Sequence, residues 1–410
     1  MSLCVSSRRQ FLLGSASLAA WAFQPRIASA LSNHDPRLLV LNLRGGMDGL
    51  GVVQPIGDPQ FSIVRAKSMD VDHQLGAVIP LDNFFSLHPA MPTLGKLYNK
   101  GDVLFIHAVS TPYKSRSHFD AQDLLESGLP NLGASKSGWL NRAISTLPKG
   151  EGLPPKQGLA LSSSLPLLLR GDARILSWMP PGFAPARQDT KQRLLNLYDR
   201  TDEAMHAAME ASIMLEEVTG GERAMLREMK AMHERAKGQS RTLFLTAQAA
   251  TKLLLDPMGP RIGAMELEGW DTHVGGHHYS PRFIALLQRL DQVIGVLQRG
   301  LAPVWDQTVL CIMTEFGRTA EFNGTKGTDH GVGTLSILIG GAVKGGRVQT
   351  DWPGLRKEQL FEGRDLLPTT DIRSVFKGVL ADHLGIPEKL LAQTVFPQSR
   401  NIAPMRDTIS

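Results

Sequence analysis

Three short segments in the last third of this chain carry most of its metal-capable side chains: Asp271-Thr272-His273, Glu315-Phe316-Gly317-Arg318 and Asp329-His330-Gly331. Asp271 and His273 are two residues apart, so extended backbone turns both side chains to the same side, where they can share one ion. Asp329 and His330 are adjacent and point apart, which suits two ions, or one ion and a supporting contact. Glu315 supplies a carboxylate between them. Imidazole and carboxylate ligands mixed in this way fit Zn²⁺, Mn²⁺ or Fe better than a thiolate-type structural site. Earlier in the chain, the turn Gly45-Gly46-Met47-Asp48-Gly49 brings another carboxylate to the end of an apolar run.

Positioning these residues requires strands that end beside one another. Pro36 to Leu43, Val103 to Val109, Thr308 to Thr314 and Leu335 to Ile339 read as buried strands, short apolar runs bounded by turn residues. Helices are expected from His88-Pro89 through Tyr98, over His118 to Leu125 with a stop near Gly128, and from Ser280-Pro281 to Gly300. In the last of these Ser is the N-cap and Pro the first helical residue. Strands alternating with helices predict an α/β fold, a mainly parallel sheet with helices on both faces. Ligands of such sheets gather at the carboxyl ends of the strands, where Asp48 and Glu315 fall. Residues 150–190 are rich in Pro and Gly and read as surface loops or part of a cap. A helical pattern from about Gln188 to Leu255, broken at Gly220-Gly221, completes a helical insertion over about 150–260. Its Met205, Met209, Met214, Met225, Met229 and Met232 read as packing residues.

Ser117, with Ser115 behind it, stands at the start of the His118 helix. There backbone N–H groups and the positive end of the dipole favour a bound anion or alkoxide character; N-capping is the other reading of a serine at that position.

The N-terminus reads as a targeting segment. Ser7-Arg8-Arg9-Gln10-Phe11-Leu12 is a twin-arginine pattern, Leu12 to Phe23 is apolar, and Ala28-Ser29-Ala30 offers a cleavage site. Residues 1–30 are thus expected to leave, with the mature chain starting at Leu31 as one domain over 31–410. The apolar stretch is too short for a lasting membrane span. The partner implied is the twin-arginine translocase, and the destination the periplasm or another extracytoplasmic space. Losing Arg8, Arg9 and Arg26 reduces Lys and Arg from 44 to 41 against 39 Asp and Glu, a net charge near +2. No basic stripe points to nucleic acid. Of the two cysteines, Cys4 leaves with the signal and Cys311 stays alone, so no disulfide forms within the mature chain.

These motifs also resemble a family. Arg44 to Gly49, Ser115-Arg116-Ser117-His118-Phe119, Gly269-Trp270-Asp271-Thr272-His273, Glu315 to Thr319 and Gly327-Thr328-Asp329-His330-Gly331 are similar to the signatures of the DUF1501 family, over essentially the whole mature chain. That family is grouped with the alkaline phosphatase superfamily, alongside sulfatases and cofactor-independent phosphoglycerate mutases. The resemblance implies an alkaline phosphatase-like fold and one or two divalent ions held by Asp48, Asp271, His273, Glu315, Asp329 and His330. It also implies an anionic ester as substrate, either a small molecule or an envelope polymer. Ser117, activated by metal or by His118, or else a metal-bound water, would attack, and Arg318 would grip the anionic oxygens. The chain departs from the sulfatase pattern at two points. Its strand 308–314 runs into Glu315-Phe316 where sulfatases have Asp-His, and no Cys/Ser-x-Pro-x-Arg context surrounds Ser117. The second reading is therefore a non-catalytic binding or assembly factor of the cell envelope. A third treats these residues as polar loop anchors.

Overall fold

The computed structural model describes residues 35–65, 77–133, 135–148, 157–162, 164–178, 198, 205–207, 209–211 and 239–410. The expected export segment over 1–30 lies outside them, as do Met214, Met225, Met229, Met232 and the break at Gly220-Gly221. Pro36–Ser410 forms one compact unit.

Its centre is a nine-stranded sheet. The strands are β1 (Arg37–Leu43), β5 (Val103–Ser110), β6 (Gln157–Leu161), β7 (Arg174–Ser177), β8 (Ile262–Leu267), β9 (Thr308–Met313), β10 (Thr334–Ile339), β11 (Arg347–Gln349) and β12 (Thr370–Asp371). β2 (Val53–Gln54), β3 (Ile79–Pro80) and β4 (Ser86–Leu87) make a small separate antiparallel sheet. The main order is β11-β5-β10-β9-β1-β8-β6-β7, with β12 also pairing β5. All neighbours run parallel except β10, which is antiparallel to both β5 and β9. The expected α/β class, a mainly parallel sheet with helices on both faces, is what the chain adopts.

β1 shows how the sheet is made. Its seven residues are all buried, and side chains alternate between two cores as the pleat dictates. Leu39, Leu41 and Leu43 enter one core with helices α1 (Pro92–Asn99), α4 (Gln239–Leu255) and α5 (Pro281–Gly300). Leu38 and Val40 enter the other with α2 (His118–Ser127), α3 (Trp139–Thr146) and α6 (Ile372–Asp382). α5 starts as its sequence dictates: Ser280 accepts a hydrogen bond from the Phe283 N–H, and Pro281 follows. α2 stops at Gly128, whose φ of 68° suits a residue without Cβ.

Two expectations change, and one strand was not foreseen. Residues 150–190 hold two strands of the main sheet, β6 and β7, rather than surface loops alone. β8 had no expected counterpart, because Gly263 and Ala264 weaken its strand signature. The helix expected from His88 starts four residues later, at Pro92, because His88 is buried and its Nε2 bonds the His278 carbonyl at 2.7 Å. Among the described residues no helix is long and apolar enough to cross a membrane.

Candidate metal centre

Parallel strands deliver their following loops to one edge. β1 hands over Arg44 to Asp48, β8 leads to Asp271 and His273, β9 to Glu315, and β5 to the start of α2 at His118. β10 runs the other way, so its preceding loop, carrying Asp329 and His330, reaches the same edge. The loops pack without space for larger residues: a Cβ on Gly45, whose φ is 121°, would lie 2.4 Å from the Asp271 nitrogen.

Ligand atoms of His118, Asp271 and His330 lie within 4.8 Å of one another, a grouping able to hold a metal ion. His118 Nε2 is 3.6 Å from Asp271 Oδ2, and His330 Nε2 is 3.2 Å from Asp271 Oδ1. His273 adjoins them, its Nε2 2.8 Å from His330 Nε2 and 3.0 Å from Asp271 Oδ1. Every imidazole is anchored through its other nitrogen. His118 Nδ1 donates to Glu315 Oε1 at 2.8 Å, His273 Nδ1 to Asp329 Oδ1 at 3.1 Å, and His330 Nδ1 to the Arg116 carbonyl at 3.0 Å. A carbonyl or carboxylate partner fixes the proton on Nδ1 and leaves the Nε2 lone pair facing inward, the usual supporting arrangement of metal-binding histidines. His118 Nε2 is buried with no hydrogen-bond partner. Burying an unpaired acceptor costs about 1–3 kcal/mol, which coordination removes. The donor set therefore fits a divalent ion.

Electrostatics follow the same lines. The Glu315 hydrogen bond raises the His118 pKa above its ordinary value, against burial. Burial pushes the Glu315 carboxyl up, but hydrogen bonds from His118, Gln122 and the Gly45 N–H outweigh it and hold the group low. Burial likewise raises Asp271, and the Arg318 guanidinium 2.7 Å away overcomes it, leaving Asp271 low. Asp329 is held low, first by the Asn323 amide and then by His273. Burial lowers His330 and favours its neutral, ligating form.

The residues nominated by sequence, Ser117 aside, divide into three groups. Asp271, His273 and His330 converge, and His118, nominated as an activating residue, joins them as a prospective ligand. Glu315 and Asp329 stand behind the imidazoles rather than at the open face. Glu315 is 1% exposed, with Oε1 shared among Gly45, His118 and Gln122 and Oε2 taken by the Thr314 hydroxyl. Asp48 and Arg318 do not serve as expected. Asp48 is 1% exposed and gripped by Arg65 through two bonds of 2.7 and 3.0 Å. Arg318 is equally buried. It donates to the carbonyls of Gly45, Gly46, Trp270 and Thr328 and to Asp271, tying three strand-end loops together. Ser117 occupies the N-cap position of α2 without a side-chain capping bond.

Sequence reasoning missed Gln122, Asn323 and the Arg116 backbone. Arg116 takes φ 64°, unusual for a non-glycine, and so aims its carbonyl at His330. Ion pairs from its guanidinium to the buried Asp365 and to Glu362 hold that conformation. The Ser-Arg-Ser run gave no sign of it.

A family model described as Protein of unknown function (DUF1501) matches residues 90–395. No curated protein matches the sequence. Among solved structures the chain is similar to Ps i-CgsB in complex with k-i-k-neocarrahexaose, at 11% identity and a TM-score of 0.42, covering 91% of this chain and 78% of that one. It is also similar to PsFucS1 sulfatase from Pseudoalteromonas sp. (12% identity, TM-score 0.35, covering 84% and 68%). A third is a protein in the alkaline phosphatase superfamily from Vibrio parahaemolyticus (13% identity, TM-score 0.31, covering 77% and 62%). Likenesses this weak assign no chemistry to this chain.

Proposed function

The chain belongs to the DUF1501 family, and from the geometry of its metal centre we propose that it is an exported, metal-dependent hydrolase of a phosphate or sulfate ester. The observation that carries the proposal is the convergence of three Nδ1-anchored imidazoles on the Asp271 carboxylate, with His118 Nε2 buried and unpartnered. His118, Asp271 and His330 would hold one divalent ion of zinc, manganese or iron. Such an ion supplies a Lewis acid for the ester oxygen and lowers the pKa of water.

The protein's own groups account for the rest. Arg318 fixes the Asp271 carboxylate, while Glu315 and the Arg116 carbonyl fix the two ligating rings. His273, partly exposed and oriented by Asp329, takes the proton of the attacking water at Nε2 as the bond to the ester oxygen breaks; solvent water protonates the departing alkoxide, and the imidazolium gives its proton back to solvent. Ser117, beside His118 with its hydroxyl free of capping, is the alternative attacking group. Export through the twin-arginine translocase to the periplasm rests on the Arg8-Arg9 pattern and on a mature chain that needs no disulfide to fold.

A second reading is a non-catalytic envelope binding or assembly factor. It is favoured by the fate of Arg318, whose donors are spent on backbone and Asp271 instead of facing an anion. One experiment serves both readings. The mature protein and a His330→Ala variant are analysed for metal content, then assayed on aryl phosphates, phosphodiesters and aryl sulfates with added divalent ions. One bound ion per chain, lost in the variant, together with metal-dependent turnover supports the hydrolase. A bound ion without turnover on any ester favours the binding role. A folded protein that takes up no ion sinks the metal centre itself.

A further inference from the structure

Helix α2 does two things at once. Its first residue, His118, enters the metal centre, while Phe119, Gln122, Asp123 and Glu126, spaced at i, i+3, i+4 and i+7, share another side of the helix. That side lines a shallow, open cleft of about 270 Å³ together with Ser164 to Leu167, Arg170 and Arg44. The cleft adjoins the metal centre through a short relay: Arg44 donates to Gln122 at 2.6 Å, Gln122 to Glu315 at 3.1 Å, and Glu315 accepts from His118.

The groups left free in the cleft define its ligand. Phe119 is 86% exposed, and its ring packs on no other ring among the described residues. An aromatic ring standing open beside polar groups marks a contact surface. Arg44 is already engaged by Glu126 and Glu266, and Arg170 donates to the Leu165 carbonyl. Arg44 and Arg170 face Asp123 and Glu126, and Glu266 claims Arg44 as well, so the lining has no excess positive charge for a polyanion. The Asp123 carboxylate and the Ser164 hydroxyl have no side-chain partner among the described residues. A carboxylate accepts from adjacent hydroxyls, and an aromatic face covers the C–H side of a ring.

We propose that this cleft is a subsite for an uncharged, polyhydroxylated ring, a glycosyl unit stacked on Phe119 and held by Asp123. This rests on the hydrolase reading and names its substrate class: a sugar ester whose ester group reaches the neighbouring metal centre.

The test uses the mature protein, zinc-loaded and chelator-treated, with maltose, cellobiose, lactose and N,N′-diacetylchitobiose as probes and tetramethylammonium as the cationic counter-probe. Saturation-transfer NMR and titration read binding, and zinc stoichiometry is measured in parallel. Ring-proton contacts to at least one disaccharide, weakened about tenfold in Phe119→Ala and in Asp123→Asn with zinc uptake intact, are the expected result. The subsite is overturned if no disaccharide binds, if Phe119→Ala leaves binding unchanged, or if tetramethylammonium alone responds to the substitutions. Sugar binding by a protein that takes up no zinc would keep the subsite and sink the hydrolase reading.

Discussion

Replacing Glu315 by Gln tests the metal centre without touching a residue that would contact the ion. Glu315 Oε1 accepts from the Gly45 N–H, His118 Nδ1 and Gln122 Nε2 at 2.8, 2.8 and 3.1 Å, and the side chain is almost wholly buried. Glutamine keeps the volume and one carbonyl acceptor. What disappears is the negative charge that sets the orientation and basicity of His118. Loss of such a supporting carboxylate weakens metal binding by roughly 10–100-fold, or about 1.4–2.8 kcal/mol. The affinity of the protein for Zn²⁺ is measured by competition with a chromophoric chelator. Thermal unfolding of both metal-free proteins serves as the control for fold. If the wild type binds tightly and the variant stays within about threefold of it, His118 is not a ligand held by Glu315. The assignment of the centre to His118, Asp271 and His330 then fails.

Asp48 is predicted to be structural. Breaking its buried pair with Arg65 by Asp48→Ala should cost about 3–5 kcal/mol in denaturant unfolding while leaving the metal stoichiometry unchanged; a folded variant that loses its ion would return Asp48 to the ligand set. A second expectation concerns pH. Glu315 raises the His118 pKa above 6.5, so the proton competes with the metal already above that pH, and affinity should fall as pH drops through the raised value. His330, lowered by burial, adds no competition in that window. In Glu315→Gln the fall should begin at lower pH, which the same competition titration run from about pH 8.5 to 5.5 reveals; an onset that does not move contradicts the coupling.

How much of this was legible in the sequence depended on the range of the contact involved. β1, β5, β9 and β10 were readable because each is a run of large apolar residues bounded by turns. β8 was not, since its central Gly263 and Ala264 owe their strand conformation to β1 and β6 on either side. The direction of β10 was also hidden, though it decides that Asp329 and His330 arrive at the carboxyl edge at all. Asp271, His273 and His330 could be nominated from their types and from clustering in loops between elements. Their division into ligands and supports could not, because the partners lie far off in sequence: His118 and Glu315 are separated by 197 positions and His273 and Asp329 by 56.

Arg318 shows the physical source of the misreading. An arginine near candidate metal ligands suggests a hand for an anionic substrate, since a guanidinium matches phosphate and sulfate oxygens. The same fork of N–H groups also suits backbone carbonyls, and this site has many to satisfy. Loops leaving β1, β8 and β9 end their ladders with carbonyls that have no strand partner, crowded where glycines let the backbones approach. Arg318 answers four of them and steadies Asp271 with what remains. Its charge therefore acts on the carboxylate that would hold the ion rather than on a substrate. Removing it would loosen three loops together, so an activity loss in Arg318→Ala could not be assigned to substrate binding. Glu315→Gln, which leaves that scaffold standing, is the sharper instrument for the same question.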